Sequence, residues 1–270
     1  MTEPYWESTL VPTGAVSPRS WVAPADTTAE SLDLGGRWDF RFGTRADGSD
    51  LPEYAPSSIT VPGHWQLQGF GRPQYTNVAY PFPLDLPHVP ETNPTGEYRR
   101  NLTVPESWQD GRILVRFDGV DSCARVSLDE VPVGATTGSR LPVEFDLTDK
   151  VKPGTTHELV VRVHQWSVGS YVEDQDMWWL SGIFRPVTLL HRPDDSINDF
   201  WLDADFDPAM GTGTISAELD AAGATLSTRP WPTANSCPTI PTPPGASRRH
   251  PLPTMASVRQ AHRATSFPPP

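Results

Sequence analysis

Cysteine is nearly absent. Cys123 and Cys237 are the only two in 270 residues, which excludes a disulfide framework and a CxxC zinc site. Cys123 is expected to be a small core residue. No stretch approaches the ~20 consecutive apolar residues that span a bilayer. The amino terminus, Met1-Thr-Glu-Pro-Tyr-Trp-Glu7, has no basic segment followed by an apolar one, so no secretion signal is read there. The expectation is a cytoplasmic protein with no membrane partner. A glycine-rich phosphate loop, HExxH and Gly-x-Ser-x-Gly are also missing, which removes the usual signatures of phosphate binding, zinc proteolysis and a serine nucleophile. Acidic residues stop at Asp220: none of the 33 lies beyond it, while Arg229, Arg248, Arg249, Arg259 and Arg263 do. The body of the chain is therefore acidic, against a net charge of −12 overall. A nucleic-acid partner is excluded, because phosphate-backbone affinity needs clustered Lys and Arg.

What is present from about residue 30 to 192 is a series of short alternating runs punctuated by Gly, Pro and Asp, the pattern of an antiparallel sandwich or barrel. Expected strands are 36–43, 97–104, 112–118, 124–128, 143–147, 157–165 and 183–191. In Ile113-Leu-Val-Arg-Phe-Asp118, the period of two puts Ile113, Val115 and Phe117 on one face, toward the core, with Arg116 and Asp118 on the other. Leu159-Val-Val-Arg-Val163 is more uniformly apolar and is expected to lie centrally, covered on both sides. Leu128-Asp-Glu-Val131 reads as a tight hairpin connection. With no long helical period, the expected fold is all-β, a two-sheet jelly-roll β-sandwich. The segment 53–96, rich in Pro, Tyr and Asn, becomes a long excursion of the kind that usually carries function.

The expected organisation is an irregular arm over 1–29, the sandwich over 30–195, a β segment over 196–224 and a disordered Pro-rich tail over 225–270. The β segment consists of strands 200–206 and 213–219, with no third strand to complete it. The tail reads either as an out-of-frame translation product or as a proline-rich linker.

The chemistry concentrates in Tyr171-Val-Glu-Asp-Gln-Asp-Met-Trp-Trp-Leu-Ser-Gly-Ile-Phe-Arg185. Carboxylates accept hydrogen bonds from hydroxyls, and indole faces cover the apolar C–H patches of a pyranose. An extended backbone would put Asp174 and Asp176 on one side, about 6.6 Å apart at Cα. That spacing resembles a glycosidase pair, but a solvated loop is the better reading of neighbouring carboxylates. One of Trp178 and Trp179 is expected to be buried. His64 and Trp65 should seat the excursion on the sandwich, and Arg185 should form an ion pair with a carboxylate of the 173–176 tract.

Together with Val61-Pro-Gly-His-Trp-Gln66, Gln74-Tyr-Thr-Asn-Val-Ala-Tyr-Pro81 and Val89-Pro-Glu-Thr-Asn-Pro-Thr-Gly96, this tract closely resembles the amino-terminal sugar-binding domain of glycoside hydrolase family 2 β-galactosidases. The resemblance implies hydrolysis of terminal β-D-galactosides with retention. It makes Asn77 and Asp176 galactose-binding residues, and Asp176 also a ligand for Na⁺, a role suited to hard oxygens. It gives Trp179 no substrate role. It puts the catalytic glutamates and the Mg²⁺ ligands in a barrel not found in this chain, and it implies homotetramers for full-length members. It also implies that the β segment begins an immunoglobulin-like sandwich. This chain alone is thus expected to be an inactive fragment. The alternatives are an autonomous carbohydrate-binding module and a partner-binding scaffold.

Overall fold

The structure is a computed structural model and describes residues 4–9, 13–19, 30–54, 57–77, 79–173, 175–194, 196–209, 212–221 and 224–227. The chain begins with β1 (Ser31–Asp33), β2 (Gly36–Arg45), β3 (Ser57–Val61), the short β4 (Gln74–Tyr75) and β5 (Thr92–Thr103). It continues with β6 (Arg112–Phe117), β7 (Val120–Asp121), β8 (Cys123–Leu128), β9 (Val131–Thr137) and β10 (Val143–Asp146). Then come β11 (Thr156–His164), β12 (Trp178–Trp179), β13 (Gly182–Ile183) and β14 (Val187–Arg192). The last strands are β15 (Ile197–Asp207), β16 (Thr212–Ala221) and β17 (Ala224–Ser227).

Two sheets carry the sandwich: six strands in the order β3-β2-β5-β11-β8-β9 and four in the order β1-β14-β6-β10. Both contribute to one core, with Trp38, Phe40, Tyr98, Val126, Val161 and Val163 from the first and Val115, Phe117, Phe145, Val187 and Leu189 from the second. Each such side chain contributes roughly 1.5–3 kcal/mol when taken from water. The Trp38 indole stays satisfied because its N–H donates to the Leu34 carbonyl at 2.8 Å. Cys123 is buried, as a small core residue should be.

β11 is flanked by β5 and β8, so the apolar run 159–163 is central. Its outer face is polar as well as covered: Arg162 joins Arg41 and Arg99 around the buried Glu97 carboxylate. Burial alone would raise the Glu97 carboxyl, but the hydrogen bonds and charges of Arg41 and Arg162 outweigh it and hold the group below its ordinary value. In β6 the alternation also holds, with Ile113, Val115 and Phe117 in the core. Its other face is not simply solvated, however, because Arg116 is buried between Glu144 at 3.0 Å and Asp118 at 2.7 Å.

The Leu128–Val131 connection is a two-residue hairpin with φ of 48° at Asp129 and 67° at Glu130, the left-handed pair that matches strand twist. Thr13 and Ala15 of the arm bridge Ala135 and Phe145, so part of the arm joins the neighbouring edges of the two sheets.

Three expectations are corrected. The excursion is shorter than 53–96, because Ser57–Val61 pairs with β2 and Thr92–Gly96 opens β5. The expected strand 183–191 is two strands, β13 pairing with β7 and β14 with β6. A third strand does follow the expected hairpin: β17 pairs with β16, Leu226 opposite Leu219, and the order β15-β16-β17 makes a three-stranded sheet. Residues 225–227 are thus strand rather than disordered tail. The remainder of that tail, 228–270, lies outside the described residues.

Candidate functional site

The excursion is seated on the sandwich by backbone bonds around a short 3-10 turn at Trp65–Gln68. Gly63 N–H donates to Ile183 O at 2.8 Å and Trp65 N–H to Ser181 O at 3.1 Å, while the Gln66 side chain accepts from Ser181 N–H at 2.9 Å. Trp65 is fully buried, and His64 stacks on Phe184 with centroids 5.0 Å apart. Both therefore seat the excursion, as their positions in the sequence suggest. Gly182 is required here. Its φ is +117°, and a Cβ would stand 2.7 Å from the Tyr98 hydroxyl.

From this seat the two motif-bearing tracts meet. β4 pairs antiparallel with β12, Tyr75 opposite Trp178 and Gln74 opposite Trp179. The Tyr75 hydroxyl donates to the Asp176 carboxylate, a bond that pushes the phenol's pKa up and keeps its proton in place. The Trp179 indole N–H donates to Thr76 Oγ1 at 3.0 Å, one residue before Asn77. The tracts carrying Asn77 and Asp176 are thus brought alongside each other, and both residues are exposed. A carboxylate has about four lone-pair sites, so the Tyr75 bond leaves Asp176 able to accept from further hydroxyls. Asp174 lies outside the described residues, and with it the expected Asp174–Asp176 pair.

The two indoles divide the work. Trp179 is half-buried and packs on Trp166 at 5.3 Å and Tyr80 at 6.4 Å, part of an aromatic cluster with Phe82 and Tyr171. Trp178 is 57% exposed and its ring lies 5.6 Å from that of Tyr75. Neither indole is fully buried, and Trp178 is the one that offers a face to solvent.

Behind the tract sits a cluster that reading the sequence misses. Arg140 Nη1 is 3.2 Å from Asp121 Oδ2 and 3.5 Å from Glu173 Oε2. Glu173 also accepts from Ser139 N–H at 2.9 Å and from the Ser139 hydroxyl. Asp121 is buried. Burial raises its carboxyl to about 7, Arg140 opposes the rise and Glu173 adds to it. Arg185, the cation expected here, instead donates to the Arg140 carbonyl at 2.9 Å and lies over the Phe184 ring. The cation that meets the tract's carboxylate is Arg140, which approaches from the β9–β10 connection. Among the described residues no three His, Cys, Asp or Glu side chains are grouped to hold a metal.

No helix among the described residues is long and apolar enough to cross a membrane. The chain is 44% identical over 231 residues to a β-galactosidase of Arthrobacter sp. (strain B7), which covers 76% of this chain and 22% of that protein. It is 45% identical over 190 residues to a β-galactosidase of Psychromonas ingrahamii, covering 68% and 18%. The chain thus spans about a fifth of the length of the curated relatives it matches. In fold it is similar to a solved β-glucuronidase of Faecalibacterium prausnitzii, with TM-score 0.55 and 18% identity over 78% of this chain and 41% of the other. The family model described as glycosyl hydrolases family 2, sugar binding domain, matches residues 29–193, the stretch that holds both sheets and the paired tracts. The chain belongs to that family.

Proposed function

We propose that this chain is the sugar-facing amino-terminal portion of a retaining β-galactosidase. Asn77 and Asp176 bind galactose hydroxyls, the carboxamide both donating and accepting and the carboxylate accepting. The observation that carries the reading is the β4–β12 pairing, which lays the Tyr-Thr-Asn tract beside the Asp-Met-Trp tract. It is supported by relatives named β-galactosidase at 44% and 45% identity. The β-glucuronidase likeness, at 18% identity, concerns the fold alone.

Asp176 is proposed as one oxygen ligand toward Na⁺, with the other ligands and those for Mg²⁺ coming from outside this chain. The same reading includes a cytoplasmic location and homotetrameric full-length members. The buried free thiol of Cys123 is in keeping with a reducing compartment. The chain holds none of the acid/base and nucleophile pair that cleaves the glycosidic bond in this chemistry; its part is to shape and hydrogen-bond one wall of the sugar pocket.

The test is hydrolysis of o-nitrophenyl galactoside by the purified chain, with and without the catalytic remainder of a galactosidase relative. Activity is expected only with the supplement, and Asp176→Asn should raise KM there. A second reading, an autonomous carbohydrate-binding module, draws on the exposed Tyr75 and Trp178 pair. Calorimetry with lactose separates the two. One wall buries too little of a small ligand for measurable heat, whereas a self-contained module would give clear binding heat.

A further inference from the structure

We infer that Arg140 is the positioning residue of the sugar-facing tract, a guanidinium that ties Gln175–Trp179 to the sandwich framework through Asp121 and Glu173. The inference rests on the reading of Asp176 as sugar-facing and extends it to a residue that touches no sugar. Asp121 is an immobile anchor, because β7 is paired with β13, Asp121 opposite Gly182. Arg140 reaches that anchor at 3.2 Å. From the same guanidinium, Nη1 meets Glu173 at 3.5 Å and Nη2 lies 3.4 Å from Met177 Sδ. The tract is therefore gripped on both sides of Asp176, at Glu173 before it and at Met177 after it. The grip itself is braced: Ser139 holds the other side of the Glu173 carboxylate, and Arg185 holds the Arg140 carbonyl at 2.9 Å.

Electrostatics agree with this role. Without the cation, the buried Asp121 and the half-buried Glu173 would face each other as like charges, and like charges at close range repel or force one to keep a proton. The groups around Asp121 are Arg140, Glu173, Ser139 and Ser181, and among them the only positive charge is Arg140. Removing it should push Glu173 and the tract outward. Asp176 and Trp178 flank Met177, so they would lose their place opposite Tyr75.

The experiment is amide hydrogen exchange on the whole chain, comparing wild type with Arg140→Met and Arg140→Lys. In Arg140→Met the amides of Gln175–Trp179 should exchange about tenfold faster, the factor that corresponds to losing one charge-assisted hydrogen bond. Those of β5 and β11 should keep their protection. Arg140→Lys should recover most of the difference, since one nitrogen, Nη1, reaches both carboxylates and an ammonium can stand in its place. Wild-type exchange of the tract in Arg140→Met would overturn the proposal. So would faster exchange throughout the core, or a lysine variant indistinguishable from methionine. No sugar enters this measurement. The tie can fail while the galactoside reading stands, and the galactoside assay can fail while the tie stands.

Discussion

At the residue scale, charge is placed where it can be answered. Glu97 is 2% exposed at its side chain, with Arg41, Arg99 and Arg162 within 2.8–3.0 Å or closer. Truncating it would leave Arg41 and Arg162 crowded without their anion and Arg99 with Glu158 alone, at 2.8 Å. Glu97→Ala is expected to cost about 3 kcal/mol, the low end for breaking a buried pair, because Arg99 and Arg162 remain partly solvated. Urea denaturation would read this as a lowered midpoint with unchanged slope. A midpoint within error of wild type would show that the network contributes nothing. The exposed Asp176 stands at the other extreme, and Asp176→Asn should leave stability within about 0.5 kcal/mol while altering the sugar response. The individual roles were unevenly legible. Asn77 and Asp176 stand out because they sit in motifs, and Cys123 because a free cysteine is among the most often buried residue types. Arg140 does not, because its partners Asp121 and Glu173 lie 19 and 33 positions away in the sequence and only the fold brings them together. For the same reason Arg185, nearer in sequence to the acidic tract, was the natural but mistaken partner.

At the scale of elements, long alternating strands announce themselves and two-residue ones do not. β2, β5, β6, β8 and β10 were legible as short alternating runs, and β11 as a more uniformly apolar one. The Asp129-Glu130 turn was legible from its length alone. β4 and β12 span two residues each, too short for any period, yet their pairing builds the candidate site. β17 was missed because Ala224-Thr-Leu-Ser227 has one large apolar side chain and abuts a Pro-rich run. A cross-element test concerns Gly96 in β5, over which the rings of Phe40 and Trp65 close. A Cβ there would stand 2.7 Å from Phe40 Cε2 and 2.9 Å from Trp65 Cε3. Both rings are fully buried and have nowhere to retreat, so Gly96→Ala is expected to cost about 1–3 kcal/mol by overpacking. The seat of the Trp65 turn should be disturbed first, visible as lost protection of the Ser181 and Gly63 amides. An unchanged melting temperature would mean that the rings repack freely.

At the scale of the whole molecule, two buried groups set opposing pH dependences. Burial, with Arg162 nearby, depresses His164 from 6.5 to about 3, and its ring is held by Tyr5 and by Thr95 at 3.0 Å. A depressed folded value means the contribution is present above pH 6.5 and is lost as pH falls toward 3. Asp121 is raised from 3.8 to about 7, so its contribution is present below 3.8 and is lost as pH rises to 7. Between pH 6.5 and 5 the folded state binds one proton more than the unfolded chain at Asp121 and one fewer at His164, and the two slopes cancel. Asp121→Asn should uncover the histidine: on acidification across that window its stability should fall about 1.4 kcal/mol per pH unit more steeply than wild type, while the half-buried His64, also depressed by burial, adds a fall common to both. Parallel wild-type and mutant profiles from urea titrations would refute the assignment.

In the proposed function, this chain shapes a sugar site without performing the cleavage. The most direct measurement is o-nitrophenyl galactoside hydrolysis by the pure chain, alone and combined with the remainder of a galactosidase relative. No turnover is expected from the chain alone, turnover in the mixture, and a raised KM there for Asp176→Asn. Turnover by the chain alone, abolished when one of its own carboxylates is neutralised, would contradict it.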